Sequence, residues 1–462
     1  MLIHEPGREP ALLDFFVSAP GFGERPRRSE LEPVDVDFGT AVQTFNVGAA
    51  SCGVPGVPSG LAAAAESFGS MPLADLIEPG RRLARDGVEV NLQQAYLLEI
   101  LAPILTREPA GARIYAPRGS VLGVGDRIAF PELAETLELL GREGPESFYR
   151  GEVAAAIAAS VLDAGGSLAP EDLAAYETIP REPARARFRD REILTNPPPS
   201  SGGILIAFAL EVLDRLGRSG TEALVAAMDQ AQAARTPDFL AGLYEEGFAG
   251  RFLTEELIEG AAERSRDLLG GPGEAQGGSR LGSTTHITAI DGDGGCASVT
   301  CSNGTGSGVF AGATGIQVNN MLGEADLNPF GFHATGPGRR MPSMMSPTIV
   351  LRDGRLELGL GSGGSNRIRS AITQTIVRFL AEGLDVEAAV TAPRVHAEAG
   401  VVHAEPGIDR EVLERLAGRG YETVRWRQPN LFFGGVHAVS RGADGSIRGA
   451  GDPRRGGAVA VA

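Results

Sequence analysis

The sequence predicts an α/β sandwich, and three observations point to it. Helical patterning dominates from about residue 55 to about residue 252, and short β-branched runs dominate from Thr284 onward. Between them lies a glycine-rich stretch of low hydrophobicity, residues 270–283 (GGPGEAQGGSRLGS), with the composition of a linker or exposed loop. Helix-rich and strand-rich parts joined in this way read as layers of one sandwich rather than as separate folds.

In chain order, residues 59–65 open a helix, and residues 73–86 form another that Gly87 stops. Residues 132–140 and 152–164 follow, the second ending at Gly165–Gly166. Residues 170–176 begin with a proline in the first turn and two acids, a favourable helix start. A strand at 192–195 enters Asn196–Gly203 (NPPPSSGG), where proline argues against both a helix and a central strand. Residues 204–216 are apolar on most sides, as in a buried helix. Beyond the linker, runs at 284–290 and 297–301 flank the turn Asp291–Gly295, a hairpin signal. Further strands are expected at 315–319, 348–351 and 356–360, with Asp353–Gly354 turning between the last two. Helices at 366–382 and 408–417 and strands at 421–426, 436–440 and 446–448 complete the pattern.

Composition narrows the chemistry. The 462 residues suffice for a large core, and 42% hydrophobic with 22% charged residues is ordinary for a globular protein. A net charge of −17 argues against nucleic acid as a partner. All 42 basic residues are arginine, which excludes a P-loop, a Schiff-base or pyridoxal phosphate lysine, and a Ser–Lys dyad. The six histidines form no i, i+4 pair, so no metal site and no cofactor is expected. Cys52, Cys296 and Cys301 are too few and scattered for a disulfide framework; an odd offset puts the last two on opposite faces of any shared strand. Neither a bilayer-spanning run nor a secretory signal is visible, so a soluble protein that stays in the cytoplasm is expected.

The remaining candidates are hydroxyl and glycine clusters. Ser283-Thr284-Thr285-His286 stands where the loop meets a strand. A chain cut before Thr284 would free an α-amine with a reference pKa of about 7.7–8.0, able to take the proton of the threonine's own Oγ. The plain alternative is that two threonines simply favour a strand. Gly361-Ser-Gly-Gly-Ser-Asn366 joins a strand to a helix; its backbone N–H groups suit an oxyanion, unless Ser365 or Asn366 merely caps the helix. Met341–Thr348 adds two serines in a proline-punctuated approach to a strand.

Taken together in this order, these segments resemble the gamma-glutamyltransferase family of N-terminal-nucleophile hydrolases. The resemblance runs through Thr284-Thr285-His286, Ser298-Val299-Thr300, GIQVNN at 315–320, Ser346-Pro347-Thr348, 361–367, Ala392-Pro393-Arg394 and 449–454. Before the linker, Gly53–Gly56, Ala84–Gly87, Phe148-Tyr149 and 197–203 also match, so nearly the whole chain is covered. The resemblance implies a four-layer αββα sandwich and self-cleavage between Ser283 and Thr284, giving chains 1–283 and 284–462 that stay associated. Thr284 would be the nucleophile and its freed amine the base, with Ser302 supporting it. Gly364 and Ser365 would supply oxyanion N–H groups. Asn303, Ser343 and Glu324, or Asp326 beside it, would bind substrate. The implied partners are a small-molecule amide or γ-glutamyl-like donor and a water or amine acceptor.

Two departures stand out. Phe16 occupies the place of an arginine that would grip the donor's carboxylate, and Met344 replaces one of two adjacent serines. An aromatic ring cannot replace a bidentate guanidinium, so the resemblance implies a donor other than an ordinary γ-glutamyl compound. Arg339, Arg340 and Arg367 are the candidates for a compensating contact. The family's N-terminal stretch, ending in a glycine run, is also expected to be missing ahead of Met1. That favours a second reading, a non-catalytic relative retained for binding or assembly, which retention of Thr284, Ser302 and Gly364 opposes.

Overall fold

The computed structural model describes residues 1–37, 42–268 and 284–461. The linker 270–283, and with it Ser283, lies outside the described residues. Two compact units interleave along the chain: Met1–Leu12, Pro180–Ser302 and Pro342–Ala462 form the first, and Leu13–Ile179 with Asn303–Met341 form the second.

The first unit contains the sandwich. Its larger sheet is antiparallel, in the order Ile447–Gly451, Gly435–Arg441, Arg355–Gly363, Thr348–Arg352, Arg191–Thr195, Ala184–Phe188. Its edge strand Ala184–Phe188 alternates buried Ala184, Ala186 and Phe188 with exposed Arg185 and Arg187, the period of a half-buried strand. The central strands Thr348–Arg352 and Arg355–Gly363 are buried along almost their whole length because both faces are covered. One face carries helices Ser201–Leu216 and Arg367–Leu380, packed through Ile204, Phe208, Ile368 and Ile372. The other face meets the second sheet through Leu2, Leu12, Leu194, Cys296, Ile349, Leu351 and Leu356.

That second sheet begins with Thr285–Ile290 and Cys296–Cys301, paired in register from Thr285↔Cys301 to Ile290↔Cys296. Leu2–His4 then pairs with Cys296–Ser298 and, on its other side, with Ala11 and Leu12. The hairpin turn is fixed by Asp291, whose Oδ1 accepts from the N–H groups of Asp293, Gly294 and Gly295. Cys296 is buried and Cys301 only half-buried, as their odd offset requires. A small sheet of Val395–Glu398, Val401–Ala404 and Glu422–Arg425 also belongs to this unit.

The second unit is rich in helices: Val57–Phe68, Leu73–Asp86, Leu92–Ile100, Pro131–Glu143 and Glu152–Asp163 are its longer ones. Phe148, Val153, Ile157 and Val161 pack there against Val309, Ala311 and Val318. Leu73–Asp86 has the expected bounds, and Gly87 stops it with φ 78°, a conformation other residues adopt only with strain.

Two expectations change. Residues 315–319 form no strand; only Gln317 bridges Phe310. Gly315 turns the chain at φ 68°, and Asn319 is drawn instead to Gly53, giving its Nδ2 to Gly53 O at 2.8 Å and taking Gly53 N–H at 3.1 Å. Ser201–Gly203, expected to be irregular, form the first turn of the helix Ser201–Leu216. The prolines end before it, and the two glycines are needed for closeness: a Cβ on Gly202 would stand 2.2 Å from Met344 O, and one on Gly203 2.1 Å from Asn196 O.

Candidate active site

Thr284 is the last residue before the strand Thr285–Ile290, opposite the end of Cys296–Cys301. Pairing of Thr285 with Cys301 brings the next residues out of each strand together, so Thr284 Oγ1 lies 3.4 Å from Ser302 Oγ and donates to it. Thr284 itself is half-buried. Two residues on, His286 is buried, with Nδ1 at 2.8 Å from Thr300 Oγ1 and Nε2 at 2.7 Å from Thr288 Oγ1. Burial, with lesser repulsion from His437, pushes its pKa down to about 3, so the ring is neutral. A Cβ on Gly361 would fall 2.3 Å from that ring, so His286 seats the strand directly on the glycine of the facing sheet. Its two ring nitrogens are occupied by hydroxyls, which makes it a support rather than a base. The sequence singled out His286 only as part of a motif; a histidine between threonines at i+2 on a strand was the available signal.

The loop after Arg355–Gly363 comes to the same place. A Cβ on Gly363 would be 2.2 Å from the carbonyl oxygen of Thr284, so only glycine permits this approach. Gly364 has φ 122° and Ser365 φ 51°, and Arg367–Leu380 begins two residues later. Asn366 makes no capping hydrogen bond; its Nδ2 goes to Glu398 Oε1 at 3.0 Å. Glu398 in turn meets His396 Nε2 at 3.3 Å, and His396 Nδ1 meets Ser370 Oγ at 2.7 Å. Burial alone would raise the Glu398 pKa, but the His396 hydrogen bond and the nearby Arg369 and Arg367 bring it down to about 2. The turn is thus anchored by a carboxylate rather than by a helix cap. Thr284, in contact with Ser302, and the turn that continues into Gly364 and Ser365 therefore meet at Gly363.

Ser343 is in the same unit and buried. Its carbonyl accepts from Ser201 N at 2.9 Å and Ser200 Oγ at 2.9 Å, and its own Oγ donates to Ser200 Oγ at 3.2 Å. The Ser200–Ser201 pair was missed as a partner of this segment; the hydroxyls after the proline run were the visible clue. Met344 turns into the apolar core and is 4% exposed. The Ala-Pro-Arg and Asp-Pro-Arg motifs form a buried ion cluster: Arg394 Nη2 is 2.7 Å from Asp452 Oδ2, while Arg454 is 3.2 Å from Asp452 Oδ1 and 2.5 Å from Glu405 Oε2.

The other expected site residues belong to the second unit. Asn303 is exposed and gives Nδ2 to Gln317 O at 3.3 Å. Glu324 is half-buried, its Oε1 accepting from Asn320 Nδ2 at 3.2 Å, and Asp326 is half-buried in the short turn Ala325–Leu327. Phe16 packs beside Val17, Met321, Leu322 and Met341. Arg340 is committed to the backbone behind it: its Nη1 donates to Phe16 O at 2.7 Å and its Nη2 to Glu177 O at 2.7 Å. It also pairs with Asp14 at 3.3 Å and lies over the Tyr176 ring at 4.7 Å. Arg367 is 1% exposed with its guanidinium 4.3 Å from the Phe432 ring. Both arginines are therefore built into the fold of their own units, and Arg339 is exposed. Among the described residues no three His, Cys, Asp or Glu side chains converge as a metal site, and no helix is long and apolar enough to cross a membrane.

Comparison with known proteins gives the family and the fold. The model of the gamma-glutamyltranspeptidase family matches residues 16–462. The glutathione hydrolase proenzyme of Escherichia coli K12 is 31% identical over 437 residues, covering 87% of this chain and 73% of that protein. The acylase ACY 1 proenzyme of Pseudomonas sp. strain V22 is 32% identical over 423 residues, covering 87% and 74%. The crystal structure of cephalosporin acylase from Bacillus halodurans superposes with a TM-score of 0.83 at 24% identity, covering 99% of this chain and 86% of that one, which establishes the N-terminal-nucleophile hydrolase fold. The chain belongs to the gamma-glutamyltranspeptidase family and is an enzyme of the N-terminal-nucleophile hydrolase class, an amide hydrolase or acyltransferase.

Proposed function

We propose that the chain matures by cutting itself before Thr284 and then transfers acyl groups through an acyl-threonine. The observation that carries this reading is the meeting of Thr284 Oγ1 with Ser302 Oγ at 3.4 Å beside the Gly363–Gly364 turn. In maturation, Thr284 Oγ attacks the carbonyl carbon of Ser283, the C–N bond breaks, and the Oγ proton passes to the departing amine. Water then hydrolyses the resulting ester, leaving a carboxylate on Ser283 and a free amine on Thr284. In turnover that amine takes the Oγ proton, Oγ attacks the donor amide, and the leaving amine departs with the proton. Water or an amine releases the acyl group. Ser302 orients Oγ, and the N–H groups of Gly364 and Ser365 hold the oxyanion, where loss of one donor costs about 10²–10³ in rate. The chains 1–283 and 284–462 remain together, and Asn303, Glu324 and Ser343 contact the substrate. Proenzyme relatives support the maturation step.

The donor is a neutral or aromatic acyl amide rather than a γ-glutamyl compound. Phe16 stands in an apolar cluster where the family resemblance calls for a guanidinium, and the neighbouring Arg340 is engaged by Phe16 O, Glu177 O and Asp14. The relatives include acylases beside glutathione hydrolases, so the family is not confined to one donor.

Intact mass tests the reading. Wild type should give two chains split between Ser283 and Thr284, Thr284→Ala a single chain, and an activated amide should label the chain beginning at Thr284. Cleavage at that bond in Thr284→Ala, or a label on a cysteine or serine, overturns it. A wild type that stays whole and takes no label selects a non-catalytic binding role instead.

A further inference from the structure

The helix Arg367–Leu380 is buried for most of its length, yet one of its faces is polar. Asn366, Ser370, Gln374 and Arg378 recur every four residues, so they stand one above another along that face. Each meets the segment 392–398 at a successive point, the two running in opposite directions. Arg378 donates to the carbonyls of Ala392, at 3.4 Å, and Pro393. Gln374 binds Val395 both ways, giving Nε2 to its O at 2.8 Å and taking its N–H at 3.0 Å. Ser370 Oγ meets His396 Nδ1 at 2.7 Å, and Asn366 Nδ2 gives to Glu398 Oε1 at 3.0 Å. A slip of the helix would strand these buried groups, so the ladder sets a single register.

The ladder ends where the reaction centre begins. Gly363 O takes Ser362 Oγ at 2.8 Å, and Gly364 O takes the Arg367 N–H at 3.0 Å. In a planar trans peptide the N–H points opposite the C=O, so these two bonds aim the N–H groups of Gly364 and Ser365. Ser365 holds φ 51°, a left-handed conformation that persists in a non-glycine residue only where its surroundings over-determine it. Asn366 comes next and makes no capping bond, so its tie to Glu398 joins the turn to the ladder. Glu398 is held in turn by His396 Nε2 at 3.3 Å. Burial lowers the His396 pKa, so the ring is neutral; with Nε2 donating to the carboxylate, Nδ1 accepts from the Ser370 hydroxyl.

We infer that Glu398 is a positioning residue of the acyl-transfer centre: through Asn366 it seats the Gly364–Ser365 turn on the register that the helix ladder fixes. The inference rests on the acyl-threonine reading. Amides aimed at an oxyanion act as its charge develops in the transition state, so the effect belongs in kcat more than in KM.

The experiment compares Glu398→Ala, Glu398→Gln, Asn366→Ala, the double alanine variant and wild type, each as the full chain. It reads melting temperature, and kcat and KM per matured molecule with a neutral acyl anilide. Glu398→Ala should lower kcat about ten- to a hundredfold with KM within about twofold, the scale of a misplacement of about 1 Å. Glu398→Gln should recover most of that loss: its amide oxygen still accepts from Asn366, and its NH2 gives to His396 Nε2 once the ring proton moves to Nδ1. Asn366→Ala should match Glu398→Ala, and the double variant should lose no more than either, since all three break one link. Should Glu398→Ala not fold, Asn366→Ala and Glu398→Gln against wild type still decide. Wild-type kcat in Glu398→Ala or Asn366→Ala overturns the inference, as does a change confined to KM. Losses that add in the double variant, or a glutamine variant that folds like wild type but recovers no kcat, overturn it too. A wild type that forms no acyl adduct overturns both this inference and the acyl-threonine reading; an active wild type with an unaffected Glu398→Ala overturns this one alone.

Discussion

Gly363→Ala should disable the enzyme without unfolding it, and the size of the effect follows from the backbone. The added Cβ would stand 2.2 Å from the Thr284 carbonyl oxygen and 3.0 Å from its carbonyl carbon. Ordinary contact is above about 3.2 Å, so Thr284 or the loop has to move by about 1 Å. A displacement of that size at a reacting group costs about 10²-fold in rate, or about 2.7 kcal/mol of barrier. Gly363 is on the strand Arg355–Gly363 and outside the positive-φ glycines, so alanine adds no backbone strain of its own. The assay is the rate of acyl-adduct formation with an activated anilide, alongside intact mass and a thermal melt. Gly292→Ala is the control: nothing lies within 4 Å of its Cβ position, and it should behave as wild type. Wild-type adduct formation in Gly363→Ala would show that Thr284 does not depend on this turn, and the proposed reaction centre would be wrong.

Phe16→Arg should move donor preference toward γ-glutamyl anilides by at least about tenfold relative to neutral acyl anilides, since a hydrogen bond to a charged group contributes about 1.5–3 kcal/mol; an unchanged preference in the donor panel refutes the assignment of Phe16. Stability should fall as pH drops below about 6.5. His286 (about 3), His403 (about 4), His396 and His437 all have folded pKa values depressed by burial, so protonation favours the unfolded chain at up to about 1.4 kcal/mol per pH unit for each. Asp229, raised to about 6 by burial, and Glu211, also raised by burial, act in the opposite sense, but two groups cannot offset four; a flat melting curve from pH 7.5 to 4.5 contradicts this. Two glycine substitutions should differ in sign by urea unfolding. Gly202→Ala meets Met344 O at 2.2 Å and should lose about 1–3 kcal/mol. Gly260→Ala, within the helix Glu255–Leu268 and near only the flexible end of Arg264, should gain up to about 1 kcal/mol.

Local signals were readable where the cause is local. Leu73–Asp86 was legible because its periodicity ends at Gly87, and Thr284–Ile290 because β-branched residues run into an Asp-Gly turn. The run at 315–319 misled because Ile316 and Val318 favour a strand, while the positive φ of Gly315 and the pull of Gly53 on Asn319 decide otherwise. Contacts made across long stretches of chain left no local mark. Leu2 opposite Ser298, Gly363 against Thr284, and Arg340 behind Phe16 are pairings that no periodicity records. The order of short motifs carried the reading of Thr284, Ser302 and Gly364; nothing in that order distinguishes Arg340 clamping the backbone from Arg340 facing a substrate.

The bond before Thr284 sits in the middle of a unit woven from both of its sides. Leu2–His4 is laced to Cys296–Ser298, and Ile193 and Leu194 to Ile349 and Val350, so each sheet takes strands from either side of that bond. Cutting there turns an intramolecular ladder into a joint between two molecules. Before the cut, the pieces search for each other at the high effective concentration of a single chain; afterwards, a denatured pair has to meet by diffusion at whatever concentration the cell or tube provides. With the proposed cut, folding would precede scission and the cut would act as a ratchet: the assembled state would persist by its unfolding rate rather than by its capacity to reassemble.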